Sequence, residues 1–291
     1  MNLGPHIAPI FSRFDRAGVQ NCAGRGNFCT HMKRRHLAEF GDQPWLAGWW
    51  REGYLDCLNF GLRSGGQFRK LNSIIAEWAT RHEGGPILEL GSGGGGPTEL
   101  IVQQSIRGEI HIPKIVMSDL FPSPAHYRAL SEQYGRERLD YIAEPVSADS
   151  AVPAHPLRMI CTTFHHFRPD LAARVIADAL QKGRSLLIVE PLQRNLLHLL
   201  LVLASGPFPY MPAPFVSRRR DWRKFIATLI VPILPLMVMW DGVISVLRTY
   251  RPDEIKQLLP PELREKIQIR IHKLPYLGIF SGTCVEISHT N

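Results

Sequence analysis

Between residues 87 and 100 the chain reads ILELGSGGGGPTEL, with five glycines in the six positions from Gly91 to Gly96. Bare backbone at that density suits a ligand that comes close to the main chain, because a missing Cβ removes the steric limit on approach. The apolar run PILEL precedes the glycines, and PTELIVQQSI follows with Pro97 at a position tolerated in a first helical turn. The glycines therefore fall at a strand-to-helix turn, where free amides and the positive helix end can meet a nucleotide. A flexible linker would have polar, Ser-rich flanks instead.

Two nucleotide chemistries compete for this turn. Gly91, Gly93 and Gly96 satisfy GxGxxG, and Asp119 stands at about the distance where a dinucleotide site holds its ribose-binding acid. A nicotinamide enzyme fits those facts alone. Glu89, two residues before Gly91, favours a different ligand. A carboxylate at the end of the first strand would repel a pyrophosphate but attract the ammonium or sulfonium of S-adenosylmethionine.

The stretch ILELGSGGGG resembles motif I of the class I S-adenosylmethionine-dependent methyltransferases, and later segments follow in the order that family requires. The resemblance covers about residues 67–191. It implies a cofactor held by Glu89, Gly91, Ser92, Gly93 and Asp119, with Asp119 ending the second strand KIVMSDL and accepting both ribose hydroxyls. It also implies a third strand and an adenine-flanking loop within AEPVSADSAVP, 143–153, where Asp149 or the backbone near Ser147 meets the exocyclic amine. LRMICTTFHHF, 157–167, is the fourth strand and its exit; ADALQKGRSLLIVEP, 177–191, supplies the next helix and a fifth strand ending at Glu190. His165 and His166 then lie over the cofactor at a strand's carboxyl end, where an imidazole could take a proton from a substrate hydroxyl. Their plain alternative is structural, as caps or packing groups for the helix RPDLAARVIADAL.

The expected fold is α/β, a Rossmann-like doubly wound seven-stranded sheet. It is mostly parallel with an antiparallel C-terminal strand, and it carries an apolar helical insertion. EKIQIRIHKLP, 265–275, alternates Ile267, Ile269 and Ile271 with polar neighbours as a half-exposed strand does, and GIFSGTCVEIS, 278–288, is its hairpin partner. QFRKLNSIIAEWATR, 67–81, places Phe68, Leu71, Ile74, Ile75 and Trp78 on one helical stripe, and Trp45, Trp49 and Trp50 share a face by spacing. The chain divides into a disordered extension, 1–31, N-terminal helices, 32–82, and the main domain, 83–291. The extension has scattered Gly, Pro and Arg and no period. An ordered pattern opens at Met32.

The insertion, 195–250, departs furthest from a minimal enzyme. It contains NLLHLLLVLA, a Pro-rich connector, the basic cluster SRRRDWRK and the 16-residue uncharged run from Phe225 to Trp240, interrupted by Pro232 and Pro235. That run is short of the ~18–20 residues that span a bilayer. Three arrangements fit: a helix pair forming a lid over an apolar substrate, a membrane-interface element, or a span. In the second, Arg218, Arg219, Arg220, Arg223 and Lys224 meet anionic head groups. Each points to a hydrophobic or lipid-like acceptor. Asp241, Arg248 and Tyr250 are candidate substrate contacts or, equally, an ordinary ion pair and a packing Tyr.

A net charge of +8 over 291 residues favours anionic partners without choosing lipid or nucleic acid. Nucleic acid is disfavoured, because neither the Asn/Asp-Pro-Pro-aromatic loop nor the Pro-Cys loop of DNA methyltransferases is present. Five cysteines without a CxxC pair support neither a zinc site nor a disulfide framework, so no metal is expected. A reducing, cytoplasmic location fits, with contact at the inner face of the membrane. The function expected is methyl transfer from S-adenosylmethionine to a small apolar acceptor, O-methylation before N- or C-methylation. Its alternatives are a non-catalytic membrane-associated binding protein with the cofactor fold and an NAD(P)-dependent oxidoreductase.

Overall fold

Short apolar segments bounded by glycine and proline can be buried on both faces only as strands of a covered parallel sheet. Four of the strands are buried at every residue: β1 (Ile87–Leu90), β2 (Ile115–Ser118), β4 (Leu157–Cys161) and β5 (Ser185–Glu190). β3 (Leu139–Tyr141), β6 (Ile267–Tyr276) and β7 (Phe280–His289) are less covered. The computed structural model describes residues 32–43, 45–82, 84–149, 155–217 and 219–290. The expectation for residues 1–31, and Arg218, lie outside them.

The seven strands stand in the order β3-β2-β1-β4-β5-β7-β6. β1 to β5 run parallel, and β7 is antiparallel to both β5 and β6. This is the doubly wound, mostly parallel arrangement expected from the sequence. Strand order reverses between β1 and β4, the place where open α/β sheets bind ligands beyond their carboxyl ends.

Helices cover both faces. α1 (Gly48–Gly65) and α2 (Leu71–Arg81) come first, then α3 (Gly96–Arg107) after β1, α4 (Pro124–Tyr134) after β2 and α5 (Pro169–Gln181) after β4. Alternation along β1 sends Ile87 into the cluster with Trp78, Ile101 and Leu130, and Leu88 and Leu90 into the opposite cluster with Val175 and Ile176. The same period of two puts Glu89 on the α3 side. Trp78, fully buried, donates its indole N–H to Ser185 Oγ at 2.7 Å, which satisfies the one polar atom of the largest core side chain.

Three local expectations shift. The helix of residues 67–81 begins at Leu71, with Phe68 buried in the turn before it. Trp45 lies ahead of α1 and is exposed, whereas Trp49 and Trp50 stack with ring centroids 4.3 Å apart. The third strand is Leu139–Tyr141, ahead of the expected segment 143–153, of which residues 150–153 lie outside the described ones. Residues 143–149 form no strand, and Val146 N–H bonds to Asp119 O instead.

The insertion folds as α6 (Leu196–Ser205), α7 (Ala213–Val216), α8 (Trp222–Phe225), a π-helical turn Ile226–Ile230, and α9 (Ile233–Arg248); α10 (Pro252–Gln257) follows. Pro232 ends the π-helical turn, while Pro235 sits in the first turn of α9, where no intrahelical bond is lost. Among the described residues no single helix is long and apolar enough to cross a membrane. Two pairs bent by 64° and 65°, Leu196–Ser205 with Phe208–Val216 and Trp222–Ile230 with Ile233–Arg248, have the length and composition together. The insertion packs on α1 through Tyr54, Cys57, Ala213, Leu234, Met237 and Val238.

Asp241 ties α9 to the segment before α1. Its buried carboxylate accepts Phe40 N–H at 2.7 Å, Gly41 N–H at 2.8 Å and Tyr54 O–H at 2.7 Å. Asp241→Ala should cost about 3 kcal/mol, since it leaves the buried Tyr54 hydroxyl and two part-buried amides without their acceptor. Urea unfolding of the two chains checks this; a loss under 1 kcal/mol would show that the donors find other partners.

Candidate active site

The turn between β1 and α3 takes its shape from what lies beneath it. Gly91 has φ +75°, and a Cβ there would stand 2.6 Å from Thr163 Cγ2, so only glycine fits between the turn and the exit of β4. Thr163 Oγ1 donates to Gly91 O at 2.8 Å. Gly93, at φ +54°, faces open space: a Cβ there would have nothing within 4 Å. One glycine packs against the protein, and the other leaves room above the turn.

Glu89 lies below the glycines and is 1% exposed. Ser92 Oγ donates to its Oε2 at 2.8 Å, and Thr98 Oγ1 donates to the same oxygen. No described residue donates to Oε1. Burial pushes the carboxyl up to about 7, against the opposing pull of the Thr98 and Ser92 hydroxyls, with a small further push from Asp119. One oxygen is thus fixed and the other is free for a cation.

Asp119 follows the carboxyl end of β2, next to β1. Its Oδ2 accepts Gly93 N–H at 2.8 Å and its Oδ1 accepts Phe121 N–H at 2.8 Å. Each oxygen keeps a second lone pair, and the half-buried carboxylate is oriented by backbone on both sides. Leu120 and Phe121 beside it are 50% and 80% exposed, an apolar shelf at the edge of the turn that the sequence pattern did not single out. Asp149 is turned elsewhere. It accepts Ser147 O–H at 2.7 Å and Arg174 Nε–H at 2.9 Å, an ion pair with α5 that engages both its oxygens.

The histidines sit in a 3₁₀ turn, Phe164–His166, directly after β4. His165 is 5% exposed; Glu190, the last residue of β5, accepts its backbone N–H at 2.9 Å and its Nδ1 at 2.8 Å. Burial disfavours the charged ring, yet the Glu190 carboxylate outweighs it and holds the imidazole above its ordinary range. His166 is half-buried and places Nδ1 2.7 Å from Asp42 Oδ1. Glu39, 3% exposed, faces both rings, with Oε1 3.8 Å from His165 Nε2 and Oε2 3.5 Å from His166 Nε2.

Arg248, at the end of α9, joins the group: Nη1 lies 3.1 Å from Glu39 Oε1 and 2.8 Å from Asp42 Oδ2. Of the proposed substrate contacts, Arg248 and Asp241 are thus engaged within the fold. Tyr250 donates its O–H to Phe167 O at 2.8 Å, with the Arg34 guanidinium 3.8 Å over its ring. Arg34, Glu39 and Asp42 went unread in the sequence. They lie in an extended segment more than 120 residues from the histidines, with no local pattern to mark them.

The basic cluster divides. Lys224 is buried and places Nζ 2.9 Å from Asp56 and 3.4 Å from Glu52, both on α1, so its charge is neutralised inside the fold rather than offered to head groups. Arg219, Arg220 and Arg223 are exposed, although Arg219 pairs with Glu52 at 3.2 Å and Arg223 with Asp221 at 2.8 Å.

No family model matches the chain, and no curated protein does. Several solved structures have a similar fold. An O-methyltransferase family protein from Burkholderia thailandensis is 14% identical with a TM-score of 0.49, over 88% of this chain and 64% of that one. A magnesium protoporphyrin IX methyltransferase from Synechocystis, with bound S-adenosylhomocysteine, is 9% identical with a TM-score of 0.45, over 77% and 84%. A pyocyanin biosynthetic protein is 14% identical with a TM-score of 0.46, over 77% and 55%. At these values each is a likeness only. The chain spans about half the length of two of these relatives, 55% of the pyocyanin protein and 51% of an O-methyltransferase of neocarzinostatin biosynthesis.

The carboxyl of Glu89 titrates near 7 in the folded chain against 4.5 ordinarily. The folded state therefore holds a proton that the unfolded state has lost between these values, and stability falls as pH rises from about 4.5 to about 7. Glu89→Gln should remove a component on the order of 3 kcal/mol from that fall in the ligand-free chain. Urea unfolding of both chains at steps from pH 4.5 to 8 measures it, and parallel profiles would rule it out.

Proposed function

We propose that the chain binds S-adenosylmethionine at the β1–α3 turn and methylates a hydroxyl of a small, apolar acceptor. One observation carries the reading: the buried Glu89 under the glycine turn, with one oxygen that no described residue donates to, beside Asp119, which is held against Gly93 N–H. Two carboxylates at the ends of adjacent strands suit a cationic amino-acid moiety joined to a ribose, and they oppose a pyrophosphate. Asp119 accepts the ribose hydroxyls with the lone pairs its backbone donors leave free, Ser92 and Gly93 line the approach, and Leu120 and Phe121 offer a surface on which a base can stack. Asp149, paired with Arg174, has no part in it.

The bound cofactor supplies an electrophilic methyl group on sulfur, whose departure as a neutral thioether requires mainly alignment from the protein. This chain contributes the acceptor's deprotonation. His165 and His166 stand at the exit of β4, whose Thr163 touches Gly91, and their Nε2 atoms turn toward Glu39. The hydroxyl proton passes to this group as the oxygen attacks.

The apolar character of the acceptor rests on the insertion. Of the 22 exposed large apolar residues among the described ones, 14 lie between Leu196 and Trp240. With Arg219, Arg220 and Arg223 exposed in the same segment, this face suits contact with an anionic membrane or with a lipid-like acceptor delivered from one.

Calorimetric titration with S-adenosylmethionine, S-adenosylhomocysteine and NADH tests the cofactor. The first two should bind and NADH should not, and Asp119→Ala should weaken binding by about 1–3 kcal/mol through loss of charged hydrogen bonds. Binding of NADH alone would replace this reading with a nicotinamide one. Sedimentation with phosphatidylserine vesicles tests the surface: the chain should pellet at low salt and less at high salt. Failure to pellet in both conditions would remove the membrane contact.

A further inference from the structure

Glu39, His165 and His166 place one ligand atom each within 4.8 Å of one another, and the hydrogen bonds around them fix what those atoms are. A carboxylate can only accept. At 2.8 Å from Glu190 and 2.7 Å from Asp42, the Nδ1 atoms of His165 and His166 must therefore carry protons. Arg248 Nη1, 3.3 Å from His166 Nδ1, is a flanking contact longer than the one that decides the tautomer. In the neutral rings both Nε2 atoms then present lone pairs, and both face the Glu39 carboxylate at 3.5 and 3.8 Å, beyond hydrogen-bond distance. His165 Nε2 is buried with no hydrogen-bond partner among the described residues. Three acceptors converge, and among the described residues no donor reaches either Nε2; Glu39 Oε1 accepts Ser245 O–H at 3.2 Å and lies 3.1 Å from Arg248 Nη1, which leaves Oε2 the freer oxygen.

Such a point needs a positive centre. Around it Glu39, Asp42 and Glu190 bring three negative charges, and Arg248, engaged with Glu39 Oε1 and Asp42 Oδ2, brings one positive charge. The Arg34 guanidinium, 3.1 Å from His165 O, brings a second positive charge, so the carboxylates still outnumber the cations, a balance that suits a further cation. Ligand atoms 2.0–2.1 Å from a tetrahedral ion stand about 3.3 Å apart; here each Nε2 lies 3.5 or 3.8 Å from its own oxygen of the Glu39 carboxylate, and one ligand atom from each residue lies within 4.8 Å of the others, so a small inward shift would close the set on an ion. A carboxylate on the remote nitrogen of each ring is the support that metal-bound imidazoles receive, since it fixes the ring and raises its basicity. We infer that Glu39, His165 and His166 form a site for a divalent transition-metal ion of the zinc type, held by two imidazoles and one carboxylate with a fourth position open.

The cysteine-based expectation of no metal did not reach this site, because its ligands are two adjacent histidines and a glutamate 126 residues before the first of them. The open position would give the ion a role in the proposed reaction in place of the histidines' own. With both Nε2 lone pairs on the ion the rings would no longer take the proton, and an acceptor hydroxyl bound at the open position would lose it to solvent water more readily, while Arg248 keeps Glu39 in place. That role rests on the methyl-transfer reading; the binding of the ion does not.

The test uses the full chain freed of metal by chelator and dialysis, titrated with Co²⁺ alone and followed by calorimetry and by visible ligand-field absorption. One equivalent should bind and produce the bands of a low-coordinate site. His166→Gln, on the half-buried ligand, and Glu39→Gln, of unchanged shape, should each abolish those bands. Asp42→Asn should retain them with affinity reduced roughly 10–100-fold. Circular dichroism of each variant identifies any that fails to fold, and at least one folded ligand variant decides the matter. No binding by the unaltered chain, or equal binding by a folded ligand variant, would overturn the site and leave the converging acceptors to protons. Binding of S-adenosylmethionine without Co²⁺ binding would refute the metal alone, and the converse would refute only the cofactor reading.

Discussion

The ion pairs of Arg248 hold the active-site side of the molecule together. Arg248 and Glu39 are both 4% exposed at their side chains, and each would be prohibitively placed without the other. The segment that carries Glu39 has no regular structure of its own from residue 32 to 39. Its backbone and side chains find partners on α9 and the exit of β4: Arg35 N–H on Leu247 O, Arg34 on the carbonyls of Arg248, His165 and Phe167, and Phe40 and Gly41 on Asp241. An extended strap with no sheet to join must satisfy its polar groups this way. The same contacts bring two carboxylates, Glu39 and Asp42, to the histidines.

The two halves of the site are coupled through one short stretch of chain. Thr163 closes against Gly91 and so shapes the turn proposed for the cofactor; two residues later His165 is fixed by Glu190 through both backbone and ring. Because β1, β4 and β5 are adjacent and parallel, their carboxyl ends deliver Gly91, Thr163 and Glu190 to one edge of the sheet. The sides proposed for the cofactor and for the acceptor are thus set by the register of three strands rather than by independent loops.

What could be read in the sequence was what depends on neighbours in the chain. The strand runs, the glycine turn, Glu89, Asp119 and the His165–His166 pair all carry local signals, and the sheet came out in the expected class. Residues 143–149 misled because PVSAD has β-branched and small residues without the partner strand that would pair them, and Asp149 answers to Arg174 on α5 instead. Glu39, Asp42 and Arg248 were illegible as a group. Their meaning arises from contacts spanning more than 200 residues between a strap and the end of α9, and no periodicity encodes such a meeting.

α9 also limits what the apolar insertion can do. Ile233, Leu236 and Trp240 recur along one stripe of this helix and are exposed, while Leu234, Met237, Val238, Asp241 and Ile244 lie on the buried stripe, which ends at Arg248. From Asp241 to Arg248 is about 10 Å of rigid helix. A surface that takes up the exposed stripe while leaving α9 in place keeps every bond of Asp241 and Arg248. Straightening the bent pair into a bilayer span would pull that helix from the strap and break the Arg248 pairs, a cost of about 3–5 kcal/mol for stranding buried charge. It would also separate Glu39 from the histidines, so a chain inserted in that way would lose the cluster at its proposed acceptor site. The bonds of Asp241 and Arg248 therefore oppose insertion of α9 across a bilayer.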